Sequence, residues 1–546
     1  MPMATNPPDT ASEPGEHVDA VVVGAGLAGL YMLYRLRQLG LAVRAIEAGD
    51  DVGGTWYWNR YPGARCDVES MHYSYSFSPE LEQEWNWSER YPAQPELLRY
   101  IRHVADRFDL RRHVRFGTRV VAVHHDERTR VWRVRTDQGR PVTARFCVLA
   151  TGCLSVAKTP EIPGIDSFAG PVYHTARWPH DGVDFTGLRV GLVGTGSSGV
   201  QSIPVIARQA AELTVFQRTP AYSMPAWNRP LTDAERDRLK AGYRVFRQQQ
   251  RESGFGVPSP HPPATRSALQ VGAEERNRTY QQRWEFGSVT ALMSAFTDLA
   301  VDEHANDTAA EFVRSKIRQI VRDPVVAEDL CPRYPFGTKR PCLDTDYYAT
   351  YNRDNVRLVN LRRTPLVAVT ARGVRTSSQE YGCDAIVLAT GFDAMTGALT
   401  AIDIRGRSGR SLREKWAAGP RAYLGLATWG FPNLFMITGP GSPSALSNMI
   451  VSIEQHVEWI ADCIRWLRER GLSTIEATRS AEDDWVAHVA AVASGTLYPR
   501  TDSWYLGANV PGKARVFMPY AGGVGAYRRI CDGVAADGYR GFTLTP

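Results

Sequence analysis

Two glycine-rich turns, each set between an apolar run and a helix-forming run, constrain this chain more than any other feature. The first reads Val21-Val22-Val23-Gly24-Ala25-Gly26-Leu27-Ala28-Gly29 and is followed by Glu47 at the end of the next apolar run. The second reads Val190-Gly191-Leu192-Val193-Gly194-Thr195-Gly196-Ser197-Ser198-Gly199 and is followed by Arg218 at the equivalent place. In a strand–turn–helix unit of this kind the glycines permit a tight turn, close approach of backbone to a pyrophosphate, and close helix-on-strand packing. The pyrophosphate rests on the positive N-terminus of the helix. An acid after the second strand suits a free ribose diol, and an arginine there suits a 2′-phosphate. The pattern predicts two different nucleotides, FAD at Glu47 and NADPH at Arg218, and therefore a flavin oxidoreductase.

With 546 residues the chain exceeds one compact core, and two or three domains are expected. The predicted class is α/β, with two Rossmann-like dinucleotide-binding domains, one for FAD and one for NADP, and a helical insertion. Residues 1–17 read as a disordered polar tail with no signal-peptide core. The expected order is an FAD-binding part over 18–155, an NADP-binding part over 156–224 and the insertion over 225–335. The NADP-binding part then returns over 336–388 and the FAD-binding part over 389–546. Apolar strands ending in Ala150-Thr151-Gly152 and Ala389-Thr390-Gly391 mark where the chain can cross between the nucleotide units. Within the insertion, Thr232 with Glu235 and Thr308 with Glu311 match the pattern of helix-starting capping boxes. The Pro/Gly/Ser-rich stretch 253–265 is expected to be a mobile loop.

The remaining composition narrows the partners. The 64 basic and 58 acidic residues leave a net charge of only +6, without a Lys/Arg block, which argues against nucleic acid. No run of about 18 apolar residues suggests a membrane span. The eight cysteines form neither a CxxC pair nor a zinc-like cluster, and the histidines show no ligand spacing, so no metal site is expected. This cysteine usage points to a reducing, cytoplasmic compartment. A monomer or a weak homodimer is expected.

Between the two turns lies Phe168-Ala169-Gly170-Pro171-Val172-Tyr173-His174-Thr175-Ala176-Arg177-Trp178-Pro179. This segment resembles the FxGxxxHxxxWP signature of type I Baeyer–Villiger monooxygenases. The segment Trp56-Tyr57-Trp58-Asn59-Arg60-Tyr61-Pro62-Gly63-Ala64-Arg65-Cys66-Asp67 and the ending Ser503-Trp504-Tyr505-Leu506-Gly507-Ala508-Asn509 are also similar to that family. The resemblance runs from about Asp19 to Phe542 and is nearest to the steroid and phenylacetone monooxygenase branch. It implies the conversion of a ketone, O₂ and NADPH into an ester or lactone, NADP⁺ and water, through an anionic flavin 4a-peroxide.

Carried over residue by residue, the resemblance implies catalytic roles for Arg340, as the cation beside the flavin, and for Asp67, as its carboxylate partner. An arginine suits that task because it never gives up its proton. FAD contacts are implied for Gly24, Gly26, Gly29, Glu47, Gly54, Thr55, Trp56, Asp67, Tyr73, Val120 and Met449. NADP contacts are implied for Arg65, Asp67, Thr195, Gly196, Ser197, Ser198, Gln201, Arg218, Thr219, Lys339 and Trp504. Ser444, Ala445, Leu446 and Met449 are the implied ketone-pocket residues. His174 is expected to position the domains rather than to act as a base. The competing readings are a hydroxylating flavin monooxygenase acting on nitrogen or sulfur, a pyridine nucleotide–disulfide reductase, which needs a redox cysteine pair, and a nucleotide-binding sensor without turnover.

Overall fold

The computed structural model describes residues 15–546. The first glycine turn connects strand Glu16–Val23 to helix Leu27–Gln38, which stops where Gly40 takes a left-handed φ of +73°. Glu16–Val23 lies inside an eight-stranded sheet. Its neighbours run, in order, Asp403–Arg405, Val120–Asp126, Val131–Thr136, Val142–Leu149, Glu16–Val23, Val43–Ile46 and Val114–Arg115, with Leu434–Met436 also paired to Val142–Leu149. The second glycine turn joins strand Arg189–Val193 to helix Ser197–Gln209. That strand sits in the middle of a five-stranded, wholly parallel sheet ordered Val356–Asn360, Glu212–Gln217, Arg189–Val193, Ala385–Leu388 and Val172–His174. The three central strands, Glu212–Gln217, Arg189–Val193 and Ala385–Leu388, are almost wholly buried and read as largely apolar runs rather than alternating ones.

The chain leaves the second sheet for helices Asp233–Glu252, Ala273–Phe286, Val289–Met293, Glu303–Ile320 and Pro324–Leu330, then returns to it through Val356–Asn360 and Ala385–Leu388. It rejoins the first sheet through Asp403–Arg405 and Leu434–Met436. The long helix Met449–Glu469 closes that layer by packing its buried face on helix Leu27–Gln38. No helix among the described residues is long and apolar enough to cross a membrane.

Three local expectations meet the structure differently. The polar tail does not extend to residue 17, because Glu16 and His17 already pair with Val142 and Thr143. Glu16 is held there by Arg44 and Arg115, at 2.7 Å each, so a charged strand end is anchored by ion pairs instead of burial; residues 1–14 lie outside the described residues. The capping box at Thr232 is present, with Glu235 closing it reciprocally. The one at Thr308 is not. Helix Glu303–Ile320 starts five residues earlier, capped by Asp302, and Thr308 bonds back to the Ala305 carbonyl from inside it. Residues 253–265 contain neither helix nor strand.

Candidate active site

The two glycine turns are built alike. Gly24 has φ +107° and Gly194 φ +109°, a region that penalises any side chain. A Cβ on Gly24 would lie 2.6 Å from the Ala150 carbonyl oxygen, and one on Gly194 2.5 Å from that of Ala389. Each Ala-Thr-Gly strand end is thus pressed against its own glycine turn. Gly29 and Gly199 face the carbonyls of Gly24 and Gly194, so a side chain at either would separate helix from strand.

Both following helices start on a glycine N-cap, Gly26 or Gly196, with no side-chain cap and no acid in the first turn. Several helices elsewhere are capped by Thr232, Asp302, Asp323 or Thr478, while Gln94–Arg107, Ala273–Phe286 and Val524–Ala536 share the lack of a side-chain cap without lying beside such a glycine turn. Uncapped first-turn amides and an uncompensated dipole form a site for an anion. Around Gly196 nothing lies within 4 Å of the missing side chain, which leaves room for a phosphate. The residues present therefore fit a pyrophosphate at each turn. Behind the first, Glu47 is buried and accepts the Ala25 and Gly49 amides at 2.7 and 2.8 Å. Burial raises its carboxyl pKa, and those amides counter the rise.

The loop from Gly53 to Asp67 spans the distance between the two turns. At its start, a Cβ on Gly54 would meet Gly26 Cα at 2.8 Å. Near its end, Gln201, on the helix of the second turn, donates to the Arg65 carbonyl at 3.0 Å and accepts from Tyr61 Oη at 2.9 Å. Asp67 is consequently held between the two nucleotide units. There it meets Arg340, 273 residues later in the chain: Arg340 Nε donates to Asp67 Oδ2 at 2.6 Å and Nη2 to Oδ1 at 3.0 Å. The remaining Nη1 donates to the Ala445 carbonyl at 2.9 Å. Ala445 adopts φ +72°, costly for a non-glycine residue, and this strained peptide contributes the carbonyl that fixes the guanidinium.

Burial pulls the Arg340 pKa down, but the Asp67 carboxylate more than offsets it, and the guanidinium is held above its ordinary value. With 22% and 27% of the two side chains exposed, the pair is worth more as geometry than as stability. The pair opens on a cavity of about 670 Å³ whose walls include Phe246, Val257, Met293, Leu446, Tyr498 and Tyr505.

Other candidate residues fall into three groups. Thr55 is exposed at the start of the short helix Thr55–Trp58, while Trp56 Nε1 donates to Tyr73 Oη at 3.2 Å inside the core. Val120 is a buried strand residue in the same apolar cluster as Val18, Val23 and Ile46. Of the ketone-pocket candidates, Leu446 lines the cavity. Ser444 instead shares a 2.8 Å hydrogen bond with Ser442, and the Met449 sulfur accepts the Ala445 amide at 3.2 Å. Ala445 reaches the site through its carbonyl. Ser447 and Asn448, not foreseen from sequence, line the cavity; Asn448 is visible in sequence only as the N-cap of helix Met449–Glu469.

On the second unit, Thr195 donates to the Thr219 carbonyl at 3.1 Å, Ser197 Oγ lies 3.5 Å from Cys342 Sγ, and Ser198 is half-buried in the first helical turn. The Arg65 guanidinium is taken up by Glu89 at 2.7 Å and by the Tyr91 carbonyl. Arg218 is exposed at the end of strand Glu212–Gln217. Lys339 sits over the Tyr334 ring at 4.8 Å, its pKa lowered by burial and then by Arg218. Among the described residues neither cation has an ion-pair partner within 4.0 Å, although Asp502 lies near enough to favour the charged form of Lys339. The Trp504 ring centroid lies 4.3 Å from that of Tyr505.

His174 Nδ1 accepts the Ala176 amide at 3.0 Å, and Nε2 lies 3.1 Å from both the Lys158 carbonyl and Thr390 Oγ1. Its two nitrogens are spent on tying strand Val172–His174 to the crossing segments, which is a positioning task. All eight cysteines are free and buried, so no redox disulfide is present.

Two anion cradles, bridged by a loop that presents a carboxylate to a guanidinium at a cavity, define a two-nucleotide flavin oxidoreductase. Residues 21–248 match the pyridine nucleotide–disulphide oxidoreductase family model. A Baeyer–Villiger monooxygenase of Pseudooceanicola batsensis is 44% identical over 96% of each chain. A phenazine N-monooxygenase of Lysobacter antibioticus is 43% identical over 97% of each. The solved structure of oxidized steroid monooxygenase bound to NADP is 57% identical, with a TM-score of 0.93, covering 97% of this chain and 99% of that one. A structure of the OTEMO complex with FAD and NADP is 43% identical, with a TM-score of 0.93, covering 97% and 99%. The chain belongs to the Baeyer–Villiger monooxygenases, the FAD-containing, NADPH-dependent enzymes that turn ketones into esters or lactones.

Proposed function

We propose that the ketones converted by this chain are bulky, steroid-like or aryl and cyclic, and that they react in the cavity beside Arg340. The observation that carries this reading is the guanidinium fixed on three sides, by both Asp67 oxygens and the Ala445 carbonyl, at the wall of a cavity of about 670 Å³ lined by aromatic and aliphatic side chains together with charged ones such as Glu69 and Arg90. That volume lies within the roughly 300–1,000 Å³ of small-molecule pockets. The identity to a steroid monooxygenase supports the larger substrates.

When bound, FAD supplies hydride acceptance from NADPH and the activation of O₂. The chain's own residues position and charge-balance the reaction. Arg340 would supply a fixed positive charge, which a guanidinium keeps without surrendering a proton, beside oxygen that becomes negative during the reaction. Asp67 orients the guanidinium, and Tyr498, Tyr505 and Leu446 keep water away from the reacting carbonyl. The net reaction is ketone + O₂ + NADPH + H⁺ → ester + NADP⁺ + H₂O.

Glu47 and the first turn would hold FAD, with Gly54, Thr55, Trp56 and Tyr73 along the bridging loop. The second turn, Arg218, Thr219 and Lys339 would hold NADPH, with Trp504 toward its nicotinamide. The corresponding assignment gives the FAD-binding domain 16–155 and 389–546, and the NADP-binding domain 156–224 and 336–388. The eight free cysteines favour a reducing compartment such as the cytoplasm, and a monomer or weak homodimer is the assembly we favour.

Mass spectrometry of products from an NADPH-driven panel running from cyclohexanone to progesterone tests the reading. Oxygen inserted beside the carbonyl of the bulkier ketones is the expected result. Oxidation of nitrogen probes without any ester would favour the chemistry named for the phenazine enzyme, and oxidation of sulfur probes without ester would favour a hydroxylating flavin monooxygenase. For the nucleotide, Arg218→Ala is expected to lower kcat/KM for NADPH at least about ten-fold while sparing NADH, because one or two charge-assisted hydrogen bonds are lost. An unchanged NADPH/NADH ratio in steady-state kinetics would place 2′-phosphate recognition elsewhere.

A further inference from the structure

The positive pair formed by Arg218 and Lys339 has a neighbour that the sequence motifs do not single out. Strands Glu212–Gln217 and Val356–Asn360 run parallel in register, Gln217 opposite Asn360, so their chains leave the sheet side by side. Arg218 is the first residue beyond one strand, and Arg362 the second beyond the other. The turn after Asn360 is tightly fixed: Leu361 donates to the Gln217 carbonyl at 2.8 Å, the Arg362 amide to Asn360 Oδ1 at 3.0 Å, and the Thr364 amide to the Asn360 carbonyl at 3.0 Å.

Two arginines stand on this turn, and the fold treats them differently. Arg363 is neutralised by the carboxylate of Asp329. Arg362 is turned the other way, where its Nε donates to the Arg218 carbonyl at 3.0 Å. No carboxylate among the described residues pairs with its terminal nitrogens. Lys339 feels both arginines, each of which disfavours its charged form, and Asp502 offsets part of that repulsion. Three cations thus gather at the carboxyl ends of neighbouring parallel strands, where ligands of open α/β sheets bind. Self-repulsion of this kind disfavours the free protein and is relieved when an anion enters.

We infer that Arg362 is a specificity-determining residue that grips the 2′-phosphate of NADPH together with Arg218 and Lys339. This inference rests on the reading of Arg218 and Lys339 as the 2′-phosphate site, and extends it to a residue on the neighbouring strand. The contact is remote from the nicotinamide, so it acts on binding and on the choice between NADPH and NADH, and leaves hydride transfer alone.

The test compares Arg362→Ala, Arg362→Lys, Arg218→Ala and Arg363→Ala in the FAD-loaded protein, with NADPH and NADH as paired coenzymes. Adenosine 2′,5′-bisphosphate and 5′-AMP serve as inhibitors that differ only in the 2′-phosphate. Arg362→Ala is expected to raise KM for NADPH about five- to ten-fold at unchanged kcat, since the charge is exposed and partly screened. The same variant should weaken inhibition by adenosine 2′,5′-bisphosphate and leave NADH and 5′-AMP as in the wild type. Arg362→Lys should recover part of the loss, and Arg363→Ala should show no selective loss.

Equal losses for NADPH and NADH would overturn the inference, because they would mean that Arg362 packs on the adenine or merely shapes the turn. So would an Arg362→Ala variant that keeps the wild-type preference while Arg218→Ala loses it; the 2′-phosphate reading would then stand without Arg362. If neither variant alters the preference, the reading on which the inference rests falls as well.

Discussion

Arg340→Ala is expected to accept hydride from NADPH at close to the wild-type rate and to form no measurable ester. The guanidinium serves the oxygen-transfer half of the cycle, where charge develops, and removing one such preorganised donor typically costs about 10²–10³ in rate. Here the loss should be at least that large, because Arg340 supplies a full positive charge in place of a neutral N–H. NADPH consumption should then become uncoupled, with hydrogen peroxide replacing the ester. Misfolding is a weak explanation for such a result. Asp67 keeps 27% of its side chain exposed and can turn to water when its partner is removed. Arg340→Lys provides a second reading: it keeps a charge but cannot bond both Asp67 oxygens and the Ala445 carbonyl together. It should recover only a small part of the activity. The measurement is stopped-flow reduction followed by product analysis, and full ester formation by Arg340→Ala would remove the mechanism.

Gly24→Ala should give a folded protein without its yellow colour, and Gly194→Ala a yellow protein that NADPH reduces poorly. The two turns are structural twins, so the same substitution probes both nucleotides. Each glycine has φ near +108°, where a Cβ costs about 1–3 kcal/mol in backbone strain alone. The added methyl would also press on the Ala150 or Ala389 carbonyl at 2.6 or 2.5 Å. Relief requires the turn to move, and with it the uncapped amides that face the pyrophosphate. Absorbance of the purified proteins and NADPH titration of Gly194→Ala distinguish the sites. Retained FAD in Gly24→Ala, or loss of FAD in Gly194→Ala alone, would contradict the assignment of nucleotides to turns.

What was legible in the sequence follows from how local each cause is. The glycine turns could be read directly, because a positive φ at Gly24 and Gly194 and the contacts of Gly29 and Gly199 are made within a few residues. The Asp67–Arg340 pair could not be read from spacing, since 273 residues and a helical insertion separate the partners. It came from family resemblance alone. The Thr308 pattern misled because Thr-x-x-Glu also occurs inside helices, where the Glu311 side chain serves Arg314 and Arg318 instead of an N-cap. The partners of Ser444 and Met449, Ser442 and the Ala445 amide, lie within their own loop and no sequence spacing announces them. Arg362 was invisible for the opposite reason: its significance arises from two strands being neighbours in a sheet, and consecutive arginines look alike until Asp329 selects one of them.

The central claim is that a permanently charged guanidinium, locked by Asp67 and Ala445, stands against the bound flavin. A crystal structure of the holoenzyme with FAD and NADP⁺ measures this directly. The account predicts Arg340 beside the isoalloxazine ring, with its bonds to both Asp67 oxygens intact. A guanidinium turned into bulk solvent, with the ring system bound elsewhere, would contradict it.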